Sequence, residues 1–364
     1  MKKIILFSAC CLLQTLAFSH ILTPNFNKEE YKELIHLVFI GAHTPDSLKE
    51  AYSANYTKLY TSESIGLDNQ WSLWESKIQN VAAISIRGTI PTSKSWLENL
   101  YAAMVAAKGE LILSKTDTFK YCLAEDPRAT VHIGWLIGTA YIAREVVPKI
   151  DSLYQHGIKD FQIVGHSQGG AISCLLHAYL KGLQRQNVLP ADICFKTYSS
   201  ASPKTGNLYF AYYFEHITQD GYAFNVVNTA DWVPETPISI QTFDDFNEIS
   251  PIPSIKEGIK KNGFITRMFL NSAFNKLKKS SIKVQKRYEK YLGDGVSSQI
   301  KKLLPDFQPP KYADNNQYMR VGRSIILYAD EDYYTHFPGD PDKEGYLFTH
   351  HMLEPYMYLV NKLK

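Results

Sequence analysis

The chain has 364 residues, 45% hydrophobic and 21% charged, which excludes a disordered polymer and suffices for one large globular core or two modest ones. A net charge of +3 over that length leaves no electrostatic footprint for nucleic acid, and no zinc-ligand spacing or Walker loop occurs. No metal, organic cofactor or nucleic-acid partner is expected, and nothing in the composition specifies an oligomeric state.

The first segment, MKKIILFSACCLLQTLAFSH, carries two lysines, an apolar run from Ile4 to about Phe18 and the small-x-small step Ala17-Phe18-Ser19. This is the pattern of a secretory signal peptide over residues 1–19, with cleavage expected after Ser19. The apolar run falls short of the roughly 20 residues that a spanning helix needs, so a retained anchor fits less well. A lipoprotein form acylated at Cys10 would have a very short apolar region. The expectation is export, into a periplasm or the medium. Loss of the leader removes Cys10 and Cys11 and leaves Cys122, Cys174 and Cys194, so at most one disulfide is possible. Cys174 and Cys194 read as buried small apolar residues.

Next come a helix near Glu29 to Gly41, mixed strand-like segments, and the apolar run Val81 to Ile86 that ends in Arg-Gly-Thr. A helical stretch follows from Trp96, which reads as core filling. Leu100 to Leu113, LYAAMVAAKGELIL, is apolar enough for a movable lid over a binding groove or for a fixed core helix. After a polar region around Glu125 and Asp126, a helix is predicted over Trp135 to Tyr154 and a short strand over Phe161 to Val164. His132, just ahead of that helix, reads as a packing or hydrogen-bonding residue. Strands alternating with helices predict an α/β chain, a mostly parallel sheet wrapped on both faces.

The stretch FQIVGHSQGGAIS, Phe161 to Ser173, places Ser167 between Gly165 and Gly169 at the end of the predicted strand. A strand that turns sharply into a helix brings backbone close to its neighbours, so the flanking residues must be tiny. Ser167 is thereby lifted out of the sheet to the N-terminus of the helix Gly169 to Leu183, where free N–H groups favour a developing oxyanion. A chance G-x-S-x-G lacks both the preceding strand and the following helix. The neighbouring His166 is expected to point away from Ser167 and to be structural.

A serine hydroxyl needs a base and a carboxylate to orient that base, and in the nucleophile-elbow fold the chain order is Ser, acid, His. Downstream, FNVVNTADWVP is a strand-like run ending at Asp231 in a turn, which makes Asp231 a better acid than Asp220 or Asp244 in their loop-like segments. Three histidines follow it: His336, His350 and His351. His336 sits in the acidic, tyrosine-rich DEDYYTHFPGD and reads as solvated; the other two open the final helix.

Taken together, SIRGT, SKSWLENL, VHIGW, GHSQGG, VVNTADWVPETP, YMRVGRSIIL and HMLEPY resemble the class 3 lipases, the fungal-lipase-like branch of the α/β-hydrolases, over most of residues 80 to 360. The resemblance implies Ser167 as nucleophile, Asp231 as acid and His351 as base, with His350 the runner-up. It also implies an oxyanion hole at Thr89 and Gln168, positions that fit the need for one donor from the loop after an early strand. The implied activity is hydrolysis of carboxylic esters, above all glycerolipids, through an acyl-enzyme. A phospholipase A1, an acyltransferase of the same fold and an inactive lipid-binding relative are the alternatives.

The chain departs from the family pattern in two places. Serines precede the proline in the segment Lys196 to Asn207, and an insertion lies between Pro237 and Tyr318. The expectation is a single lipase-like domain over 20–364 with a basic helical insertion at about 240–316. Lys256, Lys260, Lys261, Arg267, Lys276, Lys278, Lys279, Lys283, Lys286, Arg287 and Lys290 crowd this insertion, interleaved with Phe264, Met268, Phe269, Phe274 and Leu277. Such a helix either lies on an anionic membrane surface or is a solvated decoration.

Overall fold

A computed structural model describes residues 20–41, 44–247, 249–252 and 254–363. The proposed leader over residues 1–19, with Cys10, lies outside the described residues. The strands are β1 Tyr56–Thr61, β2 Trp71–Ser76, β3 Val81–Ile86, β4 Met104–Ala106, β5 Lys108–Ile112, β6 Thr118–Cys122, β7 Thr130–His132, β8 Asp160–His166, β9 Cys194–Ser200, β10 Ala223–Asn228 and β11 Arg323–Leu327. The helices are α1 Lys28–Val38, α2 Asp46–Tyr52, α3 Ser93–Leu100, α4 Ile133–Gln155, α5 Gln168–Arg185, α6 Leu208–Ile217, α7 Ile255–Lys260, α8 Phe264–Glu289, α9 Val296–Leu303, α10 Glu331–His336 and α11 Leu353–Lys362.

Seven strands form the central sheet in the order β1-β2-β3-β8-β9-β10-β11. The pairs from β3 to β11 are parallel, and β1 and β2 extend the sheet antiparallel at one edge. Every residue of β3, β8 and β10 is buried, as continuous apolar runs in a two-sided parallel sheet should be. The pleat divides them between two cores. Ala82, Ile84, Phe161 and Ile163 face a cluster built with α4 and α5, while Ala83, Val164 and Phe224 face one built with α1 and α11. The architecture is that of an α/β-hydrolase.

His132 caps α4 with its Nδ1, which accepts from the Trp135 N–H at 3.2 Å. Full burial pushes its pKa down to about 3, so it stays a neutral acceptor at ordinary pH. Three expectations need correcting. Trp96 does not fill the core; it is 42% exposed on α3. The stretch from Leu100 to Leu113 is neither a helix nor a lid, because residues 101 to 105 are at most 2% exposed and the chain then runs through β4 and β5. Pairing of β4 with β7 and of β5 with β6 overrides the alanine-rich helix propensity there. Cys122, Cys174 and Cys194 are free thiols, and Cys194 is half-buried rather than buried.

The late segment is helical: α7, α8, a π-helical turn at Lys290–Gly295 and α9. In α8 only Gln285 and Tyr288 are buried among the described residues, so most of its surface meets solvent. No described helix is long and apolar enough to cross a membrane.

Candidate active site

Ser167 sits between β8 and α5 with φ 61° and ψ −129°, a left-handed conformation that a non-glycine residue adopts only when its surroundings enforce it. The surroundings are backbone. A Cβ on Gly165 would lie 2.1 Å from the carbonyl oxygen of Gly169, and one on Gly169 would lie 2.3 Å from that of Ile86. The Ser167 N–H donates to the Ser200 carbonyl at 2.9 Å, tying the elbow to the end of β9. The Ser167 hydroxyl has no hydrogen-bond partner among the described residues and lines a cavity of about 870 Å³.

The turn after β10 carries Asp231, whose side chain is fully buried. Its carboxylate accepts from the Val233 N–H at 3.0 Å, from the Tyr356 hydroxyl at 2.8 Å and from His351 Nδ1 at 2.7 Å. A carboxylate only accepts, so this contact assigns the His351 proton to Nδ1 and leaves Nε2 as the basic nitrogen. His351 lines the same cavity as Ser167. Its carbonyl accepts from His166 Nε2 at 2.7 Å, and His166 Nδ1 lies 3.1 Å from the Ser200 hydroxyl. Burial, helped by the nearby His351 ring, holds the His166 pKa well below its ordinary value. The histidine of the elbow therefore points away from Ser167 and braces the segment that carries His351.

The other candidates are placed elsewhere. His350 Nδ1 lies 2.9 Å from the Tyr333 hydroxyl, in an aromatic group with Tyr334. His336 is exposed, and its Nδ1 is engaged with the Asp332 carbonyl. Asp220 is exposed, and Asp244 pairs with Lys278 on the surface.

Thr89 and Gln168 line the cavity beside Ser167. Their backbone N–H groups donate to nothing among the described residues. Their side chains are locked together: Asn99 donates to the Thr89 hydroxyl at 2.8 Å, and that hydroxyl donates to Gln168 Oε1 at 2.8 Å. Beneath them is Glu98, fully buried, one oxygen accepting from Asn69 at 2.8 Å and the other without a partner among the described residues. Burial raises its pKa well above the ordinary carboxyl value, which favours the protonated form.

Sequence reasoning had not named Tyr356, Glu98 or the bracing contact of His166. Tyr356 lies within HMLEPY and His166 within GHSQGG, so both were inside motifs already in view. Glu98 lies within SKSWLENL, likewise a quoted motif, but nothing in that segment marks its carboxyl as buried. Among the described residues one His/Cys/Asp group has metal-ligand spacing: His20, Asp160 and Cys194. It lies at the opening ends of β8 and β9, at the other end of the strand from Ser167.

A strand–serine–helix elbow at the edge of a parallel sheet, with a buried carboxylate–imidazole pair and an apolar cavity beside it, defines an α/β-hydrolase. Residues 83–240 match the family model "Lipase (class 3)", and that match marks the chain as a lipase-type ester hydrolase. No curated protein sequence matches it. Solved structures it is similar to include the lipase from Rhizopus microsporus var. chinensis, at 21% identity over 59% of this chain and 71% of that one, TM-score 0.43. Another is the triacylglyceride lipase of Rhizomucor miehei, at 20% identity over 58% and 73%, TM-score 0.44. A third is the Lip2 lipase of Yarrowia lipolytica, at 18% identity over 59% and 76%, TM-score 0.45. These are distant likenesses of shape.

Proposed function

We propose that the chain is an exported serine hydrolase that cleaves carboxylic esters of glycerolipids through a Ser167–His351–Asp231 triad. The observation that carries the reading is the juxtaposition of an unpaired Ser167 hydroxyl and a carboxylate-held His351 ring on the wall of one apolar cavity. His351 Nε2 takes the Ser167 proton as Oγ attacks the ester carbonyl, and Asp231 keeps the imidazole in the tautomer that can do so. The oxyanion falls between the N–H groups of Thr89 and Gln168, each contributing about 3 to 4 kcal/mol to barrier reduction. The imidazolium then protonates the leaving alcohol. Water, deprotonated by the same nitrogen, releases the fatty acid from the acyl-enzyme.

Cavity size and lining support lipid as the ester class. About 870 Å³ walled by Trp96, Leu100, Trp232, Ile238, Phe348 and Met352 suits an acyl chain better than a polar group. Export rests on the leader-like residues 1–19, and the domain is taken to run from 20 to 364. A panel of p-nitrophenyl esters and triacylglycerols, run with the wild type and Ser167→Ala, tests the reading. Long-chain turnover abolished by the substitution is expected. Failure of the wild type to react with a fluorophosphonate probe would overturn it.

A further inference from the structure

We infer that α8 is a docking helix for an anionic lipid bilayer, its first two turns inserting between lipids and its remainder lying along the headgroups. The face carrying this role is a single stripe: Ile265, Phe269, Ser272, Lys276, Lys279, Lys283, Lys286 and Lys290, spaced by four and three residues in alternation. The opposite stripe, Phe274, Lys278, Ser281, Gln285 and Tyr288, faces the body of the protein: Phe274 packs on Phe243, Lys278 pairs with Asp244, and Tyr288 is buried in the cavity wall. The outer stripe therefore has a fixed orientation.

Along that stripe the chemistry changes once. Its start is apolar and bare, with Ile265 78% and Phe269 70% exposed on the stripe and Phe264 70% and Met268 61% exposed beside it. Its continuation is cationic, and among the described residues no acid forms an ion pair with Lys276, Lys279, Lys283, Lys286, Arg287 or Lys290. A helix solvated for its own sake has no use for four large apolar side chains in water at one end. A polyanion such as nucleic acid accounts for the cations but leaves the apolar end uncovered. A bilayer with anionic headgroups satisfies both halves, acyl chains taking the aromatic end and phosphates the lysines.

The placement serves the enzyme. Tyr288, near the end of α8, and Leu292, in the following turn, form part of the wall of the Ser167 cavity, so a helix held on lipid holds that cavity close to the lipid surface. This benefit rests on the ester-hydrolase reading; the binding itself does not.

Co-sedimentation of the full chain with vesicles tests the inference, using phosphatidylcholine alone and phosphatidylcholine mixed equally with phosphatidylglycerol. The wild type and Ser167→Ala are both expected to sediment with the mixed vesicles, and salt should weaken the binding. Lys279→Glu with Lys283→Glu and Lys286→Glu should lower partition onto the mixed vesicles by about a hundredfold, at roughly fivefold or more per cation. Phe264→Asp with Phe269→Asp should abolish binding at every salt concentration. Both variants should hydrolyse a soluble short-chain ester as the wild type does, which also shows that they fold. Equal binding to the two vesicle types, or undiminished binding in either variant, overturns the inference. So does capture by RNA or heparin without capture by vesicles.

Discussion

The sheet-borne half of the molecule and the late helical segment solve opposite problems. In the sheet, β3, β8 and β10 are buried along their whole length and the groups that support Ser167 are held by named partners: Asp231 by Tyr356, Val233 and His351, and His166 by Ser200 and the His351 carbonyl. In α8, most side chains meet water and the five lysines of the outer stripe lie on the surface without an ion-paired acid among the described residues. Burial makes each residue of the first region dependent on its neighbours, because an unpaired polar group there is costly. Exposure leaves each residue of the second nearly independent, so its information lies in pattern rather than in contacts.

That contrast breaks most sharply at Ser167. Ser167→Ala should cut turnover of a p-nitrophenyl ester by about ten-thousand- to a million-fold while leaving the melting temperature within a few degrees, since the hydroxyl has no partner to lose. An activity that survives would remove the proposed triad. Asp231→Asn should cost about ten-thousand-fold in kcat, because an amide that donates to Nδ1 favours the wrong imidazole tautomer. Tyr356→Phe withdraws one of three donors from a fully buried carboxylate, for which we expect about a tenfold loss of kcat and about 1 to 3 kcal/mol of stability by urea denaturation.

Glu98 sharpens the comparison through pH. Folded, it holds its proton to higher pH because burial raises its pKa well above the ordinary carboxyl value; unfolded, it ionises near that ordinary value. The folded state thus binds the extra proton, and its contribution to stability is complete below about pH 4.5 and is lost progressively as the pH rises toward the folded value. Glu98→Gln, neutral at every pH, should flatten the decline in stability above pH 4.5, measured as melting temperature across a pH series. An identical slope in the two proteins would mean that Glu98 is ionised when folded. The smallest effect belongs to the late segment. Lys278→Ala breaks the exposed pair with Asp244 and should change stability by less than about 0.5 kcal/mol in the same denaturation experiment.

Much was legible without coordinates where local chemistry is stringent. The elbow demands tiny residues around Ser167, and the consequences of a Cβ at Gly165 or Gly169 show why. Val81–Ile86 and Phe161–Val164 are apolar runs of strand length, and β3 and β8 contain both. Legibility failed where burial depended on distant partners. Leu100 to Leu113 has helix-forming alanines, yet β7 and β6, both later in the chain, draw it into strands. Trp96 looked like core because tryptophan usually is, but α3 turns it toward the cavity mouth.

The amino-acid sequence by itself determined the order of the chemistry: a serine on a glycine-flanked turn, a later aspartate after a strand, and histidines ahead of the last helix. Spacing along the chain was enough, because turns and strand ends are set by the residues that compose them. Which of the adjacent histidines meets Asp231 was decided only in three dimensions. His350 and His351 differ by one position, and the turn leading into α11 sends one ring to Tyr333 and the other to the buried carboxylate. The raised pKa of Glu98 likewise comes from folding alone, since no local pattern records that a side chain has been carried out of reach of water.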